Sequence, residues 1–248
     1  MKSFEKPSHW PTLKLHEKLL YYKDQLTEEV VPFIDKLQVK PYIKEVTQGK
    51  CKVAKVLKVI HDPEDVTQED LVPGRIIKTT HASGWNIFIV EKTRLDLVKE
   101  RLKKWNTHYV GNNEKHYTYL TPGFFLEERV PDFFYGTKEK KCITFSFRCV
   151  HGEPISINVR DFLYKEQNNY LLDGTPIGSQ GFPFTLPPEV KTMIDFARVL
   201  SNPFEFVRVD FYLSQDREIY FSEFTFTPLG GCPFYPEEYE ISFGKLWT

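Results

Sequence analysis

The chain of 248 residues carries 33 Lys plus Arg against 34 Asp plus Glu, so no net field draws it to nucleic acid or to an anionic membrane, and its partners have to be read from local sites. Hydrophobic residues at 41% and aromatics at 15% exclude a disordered chain and suffice for a sizeable core, in one large domain or in two lobes. Cys51, Cys142, Cys149 and Cys232 lack any Cys-x-x-Cys spacing, the start from Met1 to Lys6 has no apolar leader and no run reaches transmembrane length; reduced thiols and a cytoplasmic protein without a membrane span are expected.

Along the chain, Leu13, Leu15, Leu19, Leu20, Tyr21 and Tyr22 are mixed with charges, and Thr27-Glu-Glu-Val opens a helix-like segment. Asp35 can cap a second run from Lys36 to Val46, with Pro41 kinking it or resetting its start. Val53 to Ile60 is strand-like, and Arg75-Ile-Ile-Lys78 with Ile87-Phe-Ile-Val90 reads as two strands joined by a polar loop. Leu95, Val98, Leu102 and Trp105 then recur at helical spacing behind Thr93 as a candidate cap. Phe124 to Val130 and Ile143 to Val150 are further strands, with His151-Gly-Glu-Pro154 as the turn into Ile155 to Val159. Asn168 to Pro188 reads as a long ordered loop, followed by a helix from Pro188 to about Leu200. Strands falling in local antiparallel groups between helices predict an α+β fold.

The segment Phe206 to Leu213, a charged turn, and Ile219 to Phe226 carry the strongest signal. Strand periodicity places Val207, Val209, Phe211 and Leu213 on one face and Arg208, Asp210 and Tyr212 on the other. A hairpin loop of about five or six residues brings Glu223 within a residue of facing Asp210. Two facing carboxylates beside a cation suit Mg²⁺ held between protein and nucleotide phosphates; an exposed edge with an ordinary Arg to Asp pair is the competing reading.

Backbone amides near Ser83 and Gly84, in the loop Thr79 to Asn86, can close over phosphate oxygens, and Lys78 at the preceding strand end can reach a phosphate. The loop matches neither a P-loop nor a dinucleotide fingerprint, so a hairpin loop beside a surface lysine stays open. His81 is a candidate proton carrier or phosphate donor, or a hydrogen-bonding loop residue. Glu127-Glu128-Arg129-Val130, before Pro131-Asp132, is either a hinge offering backbone groups to a base or a solvated strand end.

Taken in order, Asp35-Lys36, Ile76-Ile-Lys78 with His81-Ala-Ser-Gly-Trp-Asn86, Leu126-Glu-Glu, Val207-Arg-Val-Asp210 and Glu223-Phe-Thr-Phe-Thr-Pro-Leu-Gly-Gly231 resemble the ATP-grasp superfamily, and within it the TupA-like group named for a teichuronic-acid biosynthesis protein. The resemblance runs from about Asp35 to the carboxy terminus. It implies two α+β lobes with antiparallel sheets clasping ATP, a small lobe near 50–125 and a large lobe near 126–248, behind a helical extension over 1–34. It places Lys78 on the nucleotide phosphates and His81, Ala82, Ser83, Gly84, Trp85 and Asn86 in the phosphate loop. Glu127, Glu128, Arg129 and Val130 become the adenine hinge, contacting the base through backbone, with Asp132 near the ribose. Asp210 and Glu223 match the Mg²⁺ ligands, and Arg208 matches an arginine used on phosphate or acyl phosphate.

Two positions depart from the family pattern. Thr225 stands where many members have an Asn metal ligand, and Ser146 where a lysine is expected, with Arg148 as a substitute cation. The implied activity is an ATP-dependent carboxylate–amine ligase working through an acyl phosphate, on a cell-envelope or glycan-related carboxylate. A kinase phosphorylating a small-molecule or glycan hydroxyl, and a nucleotide-binding scaffold without turnover, are the alternatives; Thr225 and Ser146 motivate the last.

Overall fold

A computed structural model describes residues 4–109, 114–136, 142–161 and 165–248. In chain order these form α1 (Leu15–Gln25), α2 (Val31–Ile34), α3 (Val39–Val46), β1 (Lys52–Val53), β2 (Val56–Ile60), β3 (Arg75–Thr79), β4 (Asn86–Phe88), α4 (Leu95–Trp105) and β5 (Phe124–Glu128). Then follow β6 (Ile143–Val150), β7 (Glu153–Asp161), β8 (Glu166–Tyr170), α5 (Val190–Ser201), β9 (Phe206–Leu213), β10 (Ile219–Thr225) and α6 (Glu237–Leu246). The strands make a six-stranded sheet, β1-β10-β9-β6-β7-β8, and a four-stranded sheet, β2-β5-β3-β4. Every pairing is antiparallel except β1 with β10, as the α+β expectation requires. No helix of the described residues is long and apolar enough to cross a membrane.

The strand expected from Val53 to Ile60 is split. β1 joins the large sheet and β2 the small one, so Ala54 and Lys55 carry the chain between the two layers. Composition gives no sign of this, because both halves satisfy the same alternation. The small sheet closes its own core with Ile60, Ile77, Ile87, Phe124 and Leu126 against Val98 and Leu102 of α4, the face the helical spacing predicts. Thr93 does not cap α4: the N-cap is Arg94, and Thr93 Oγ1 instead accepts from the Val90 amide at 2.8 Å.

The large sheet buries Val207, Val209, Phe211 and Leu213 completely beneath Val190, Met193, Ala197 and Leu200 of α5. The amino-terminal segment expected as an extension contributes to this same core. Trp10, Leu15, Leu19 and Tyr22 pack with Trp247, and the Trp10 indole N–H donates to the Trp247 carbonyl at 2.8 Å. Similarly, the boundary expected near 125/126 cuts through β5, a central strand of the small sheet. Strand β8 reclaims Asn168 to Tyr170 from the expected loop, because the buried Asn168 carboxamide bonds the Gly181 and Phe182 amides and satisfies the returning chain. His151 and Gly152, with φ of 48° and 79°, make the tight turn from β6 to β7.

Candidate nucleotide-binding site

β9 and β10 pair in the register that sets Glu223 opposite Asp210, and a bulge between Phe221 and Glu223 decides this. Continuing the pairing Ile219 to Leu213 and Phe221 to Phe211 without a bulge would oppose Ser222 to Asp210 and turn Glu223 onto the core face. Arg208 lies on the same face. Its Nε donates to Asp210 Oδ1 at 2.7 Å and its Nη2 to Asp210 Oδ2 at 2.6 Å and Glu223 Oε1 at 3.1 Å. Burial alone would depress the guanidinium pKa, but the Asp210 charge and its hydrogen bonds outweigh burial and raise it. Thr225 Oγ1 donates to Glu223 Oε1 at 3.3 Å. Thus Asp210, Glu223, Thr225 and Arg208 come together, with the arginine neutralising the carboxylates rather than reaching outward.

Between the sheets runs a cleft of about 910 Å³, counted to its open mouth, with apolar walls from Ala54, Ile76, Phe88 and Phe221. Lys36, Lys40, Lys78 and Glu223 line it as well. Glu127, expected to act through its backbone, extends its buried carboxylate to Lys78 Nζ at 2.5 Å and Lys40 Nζ at 2.9 Å. Burial opposes charge on all three groups. Glu127 nevertheless holds Lys78 above the usual lysine pKa, and the two ammonium groups hold Glu127 below the usual carboxylate range, whereas burial prevails at Lys40 and Lys36 and lowers them. Lys36 and Lys40 were absent from the sequence-derived set; the signal for them is the spacing Asp35-Lys36-x-x-x-Lys40, which puts two lysines on one side of a helix start. Ser222, beside the bulge, also lines the cleft and was not singled out in the sequence.

Several expected contacts are placed differently. His81 is fully buried: its Nδ1 accepts from the Gly123 amide at 3.2 Å and its Nε2 lies 3.1 Å from the Trp105 carbonyl, while burial lowers its pKa. Both ring nitrogens are therefore engaged inside the small lobe and neither faces a phosphate. Ala82 is buried and presents its carbonyl to Lys36 Nζ at 2.6 Å, and Trp85 stacks on Trp105 at 5.5 Å. Ser83, Gly84 and Asn86 are the loop residues that line clefts, with Gly84 in the left-handed region at φ 73°. In the hinge, the Glu128 and Arg129 amides donate to Lys55 and Gly74 carbonyls, both at 2.9 Å, whereas Val130 lines the cleft. Asp132 also lines it, yet its carboxylate accepts from the Phe134, Tyr135 and Ile143 amides, which removes it from a free ribose-binding role.

Because Ala82 and Trp85 anchor the loop, ligand-dependent ordering is expected at Ser83 and Gly84 rather than throughout Thr79 to Asn86. Hydrogen exchange with and without a non-hydrolysable ATP analogue and Mg²⁺ checks this. Protection should rise at Ser83 and Gly84, and around Val130 if the base docks there; an unchanged loop in a protein that binds the analogue would remove it from phosphate binding.

A second chamber of about 920 Å³ adjoins the first, sharing Gly84, Asn86, Tyr212, Ser222 and Glu223. Thr144, Arg160, Arg208, Asp210, Thr225 and Glu114 also line it. Glu114 receives a hydrogen bond from Thr227 Oγ1 at 2.9 Å, and burial raises its pKa.

A family model described as TupA-like ATPgrasp matches residues 14–248. Among solved structures, the chain is similar to the ADP complex of purK, N5-carboxyaminoimidazole ribonucleotide synthetase, with 15% identity over 90% of this chain and 52% of that one and a TM-score of 0.49. It is also similar to an L-amino acid ligase from Bacillus licheniformis, with 13% identity over 78% of this chain and 40% of that one at TM-score 0.46. For D-alanine–D-alanine ligase from Bacillus anthracis the values are 14% identity, 77%, 56% and 0.47. The chain thus spans about half the length of these proteins. No curated protein matches it by sequence.

Proposed function

Because the chain belongs to the TupA-like ATP-grasp family, we propose that it is an ATP-dependent ligase that joins a carboxylate to an amine through an acyl phosphate. The observation that carries this reading is the facing pair Asp210 and Glu223 at the junction of a lysine-lined cleft and a second, polar chamber. The apolar slot between Ile76, Phe88 and Phe221 suits adenine, with the Val130 backbone at its edge, and Lys36, Lys40 and Lys78 offset phosphate charge. The substrate carboxylate would enter from the second chamber. A carboxylate is a poor electrophile; transfer of the γ-phosphoryl group to its oxygen creates a leaving group, which an amine then displaces to form the amide and release phosphate. Positioning and charge stabilisation are the protein's share of that work.

Mg²⁺ fits the donor set. The described residues contain no cluster of three or more metal-ligating side chains, but Mg²⁺ takes one or two carboxylates and completes its shell with phosphate oxygens and water. Asp210 and Glu223 would hold it, with Thr225 beside Glu223, and bound there it would neutralise the β and γ phosphates. Arg208, whose fork is shared between Asp210 and Glu223, would then exchange carboxylate contacts for the transferring phosphoryl group. The acceptor's relation to a cell-envelope glycan rests on the family resemblance alone.

The test is product analysis. ADP and phosphate should appear together only when Mg²⁺, a carboxylate and an amine are all supplied from fractionated metabolites. ADP with a phosphorylated hydroxyl and no need for amine would make the protein a kinase; nucleotide binding without ADP would make it a scaffold.

A further inference from the structure

The second chamber contains a carboxylate that nucleotide and metal leave without a task. Glu114 and Tyr117 belong to the short turn between α4 and β5, which the Tyr117 amide closes by donating to the Glu114 carbonyl at 3.0 Å. Both side chains line the chamber, although the residues are only 8% and 5% exposed. The Glu114 carboxylate accepts one hydrogen bond, at Oε1 from Thr227 Oγ1, and makes no ion pair among the described residues; the Tyr117 hydroxyl makes no hydrogen bond among them. Lys23 and Arg208 act on Glu114 only through space, the Arg208 fork being committed to Asp210 and Glu223. A buried carboxylate without a cation beside it is costly to hold charged, and here the charge of Glu223 adds to burial. The wall is therefore completed by a ligand that brings positive charge.

The chemistry of the reactants decides which ligand that is. Nucleotide phosphates, a carboxylate and an acyl phosphate are anionic, and Glu114 repels them. An amine arrives as an ammonium ion, whose donors match the open Oε2 of Glu114 and the phenol oxygen of Tyr117, with the aromatic ring favouring the charge. The loop that supplies Thr227 also presents Leu229 to the chamber. Leu229 is held in the left-handed region at φ 56° and left 53% exposed, so it offers an apolar surface that an ammonia-sized ligand would leave in water. Resting on the ligase reading above, we propose that Glu114 and the Tyr117 hydroxyl form the ammonium pocket that receives the amine substrate, with Leu229 against its carbon chain. The substrate class is a primary alkylamine rather than ammonia.

The protein saturated with Mg²⁺ and a non-hydrolysable ATP analogue, so that metal engages Asp210 and Glu223, is titrated with n-butylammonium, with 1-butanol and with ammonium chloride. Wild type should bind n-butylammonium about 10-fold or more tightly than either of the others. Glu114→Gln should erase the preference over butanol, and Glu114→Asp and Tyr117→Phe should narrow it. Leu229→Gly should narrow only the preference over ammonium. All four should keep the affinity for the analogue, which also reports folding. A wild type that binds butanol as tightly, or a Glu114→Gln protein that keeps the preference, overturns the pocket; should Glu114→Gln fail to fold, a preference unchanged in both Glu114→Asp and Tyr117→Phe does so. Loss of Mg²⁺-dependent analogue affinity in a folded Glu114→Gln protein also overturns it, by making the residue a metal ligand. Ammonium bound as tightly as n-butylammonium overturns the alkylamine assignment. Failure of the analogue to bind wild type would instead overturn the proposed function.

Discussion

Asp210→Asn is expected to lower Mg²⁺-dependent nucleotide affinity by about 100-fold or more, equivalent to roughly 3 kcal/mol. Asparagine keeps the shape of the side chain and removes its charge, and that charge serves two partners. In the resting site it holds the Arg208 fork at 2.6 and 2.7 Å; with nucleotide bound it would be one of two metal carboxylates. Arg208 retains Glu223 at 3.1 Å, so the variant should fold, and the deficit should fall on metal-assisted binding. Titrating nucleotide into both proteins with and without Mg²⁺ checks the expectation. Equal and metal-insensitive binding by the two would sink the assignment of the hairpin as the metal site.

Lys78→Ala should leave a folded protein whose ATP turnover falls by roughly 30- to 1000-fold, the equivalent of about 2–4 kcal/mol of lost transition-state stabilisation. The fold should survive because Glu127 keeps Lys40 as a counter-ion at 2.9 Å. The present contact of Lys78 with Glu127 preorganises the ammonium at the cleft wall, where it can share its donors with a phosphate. Steady-state ADP release, with circular dichroism as the folding control, makes the comparison. Turnover equal to wild type would reduce Lys78 to a structural ion-pair partner.

How far the chain could be interpreted without its fold differs from element to element. The alternation of Val207 to Leu213 was sufficient to separate a core face from a charged face, and the helical spacing of Leu95 to Trp105 was sufficient to define α4's buried stripe. Both patterns depend only on local periodicity, which sequence states directly. The facing of Asp210 and Glu223 could be brought only to within one residue, because the bulge at Ser222 that settles it is a choice between two pairings of similar local chemistry. Likewise, His81 and Asp132 have residue types suited to ligands, but their polar atoms are satisfied by backbone groups contributed from distant segments, Gly123 and Trp105 in one case and Ile143 in the other.

By itself, then, the amino-acid order determined the α+β class, the family and the motifs on which it rests, because those features are carried by spacing along the chain. Only the tertiary structure decided that Val53 to Ile60 divides between two sheets, that Lys40 joins Lys78 on Glu127 while Lys36 reaches the Ala82 carbonyl, and that Arg160 faces Thr144 across β6 and β7. Each of these is a meeting of residues far apart in sequence, set by sheet register and by packing between layers, and neither quantity is encoded in any local window of the chain.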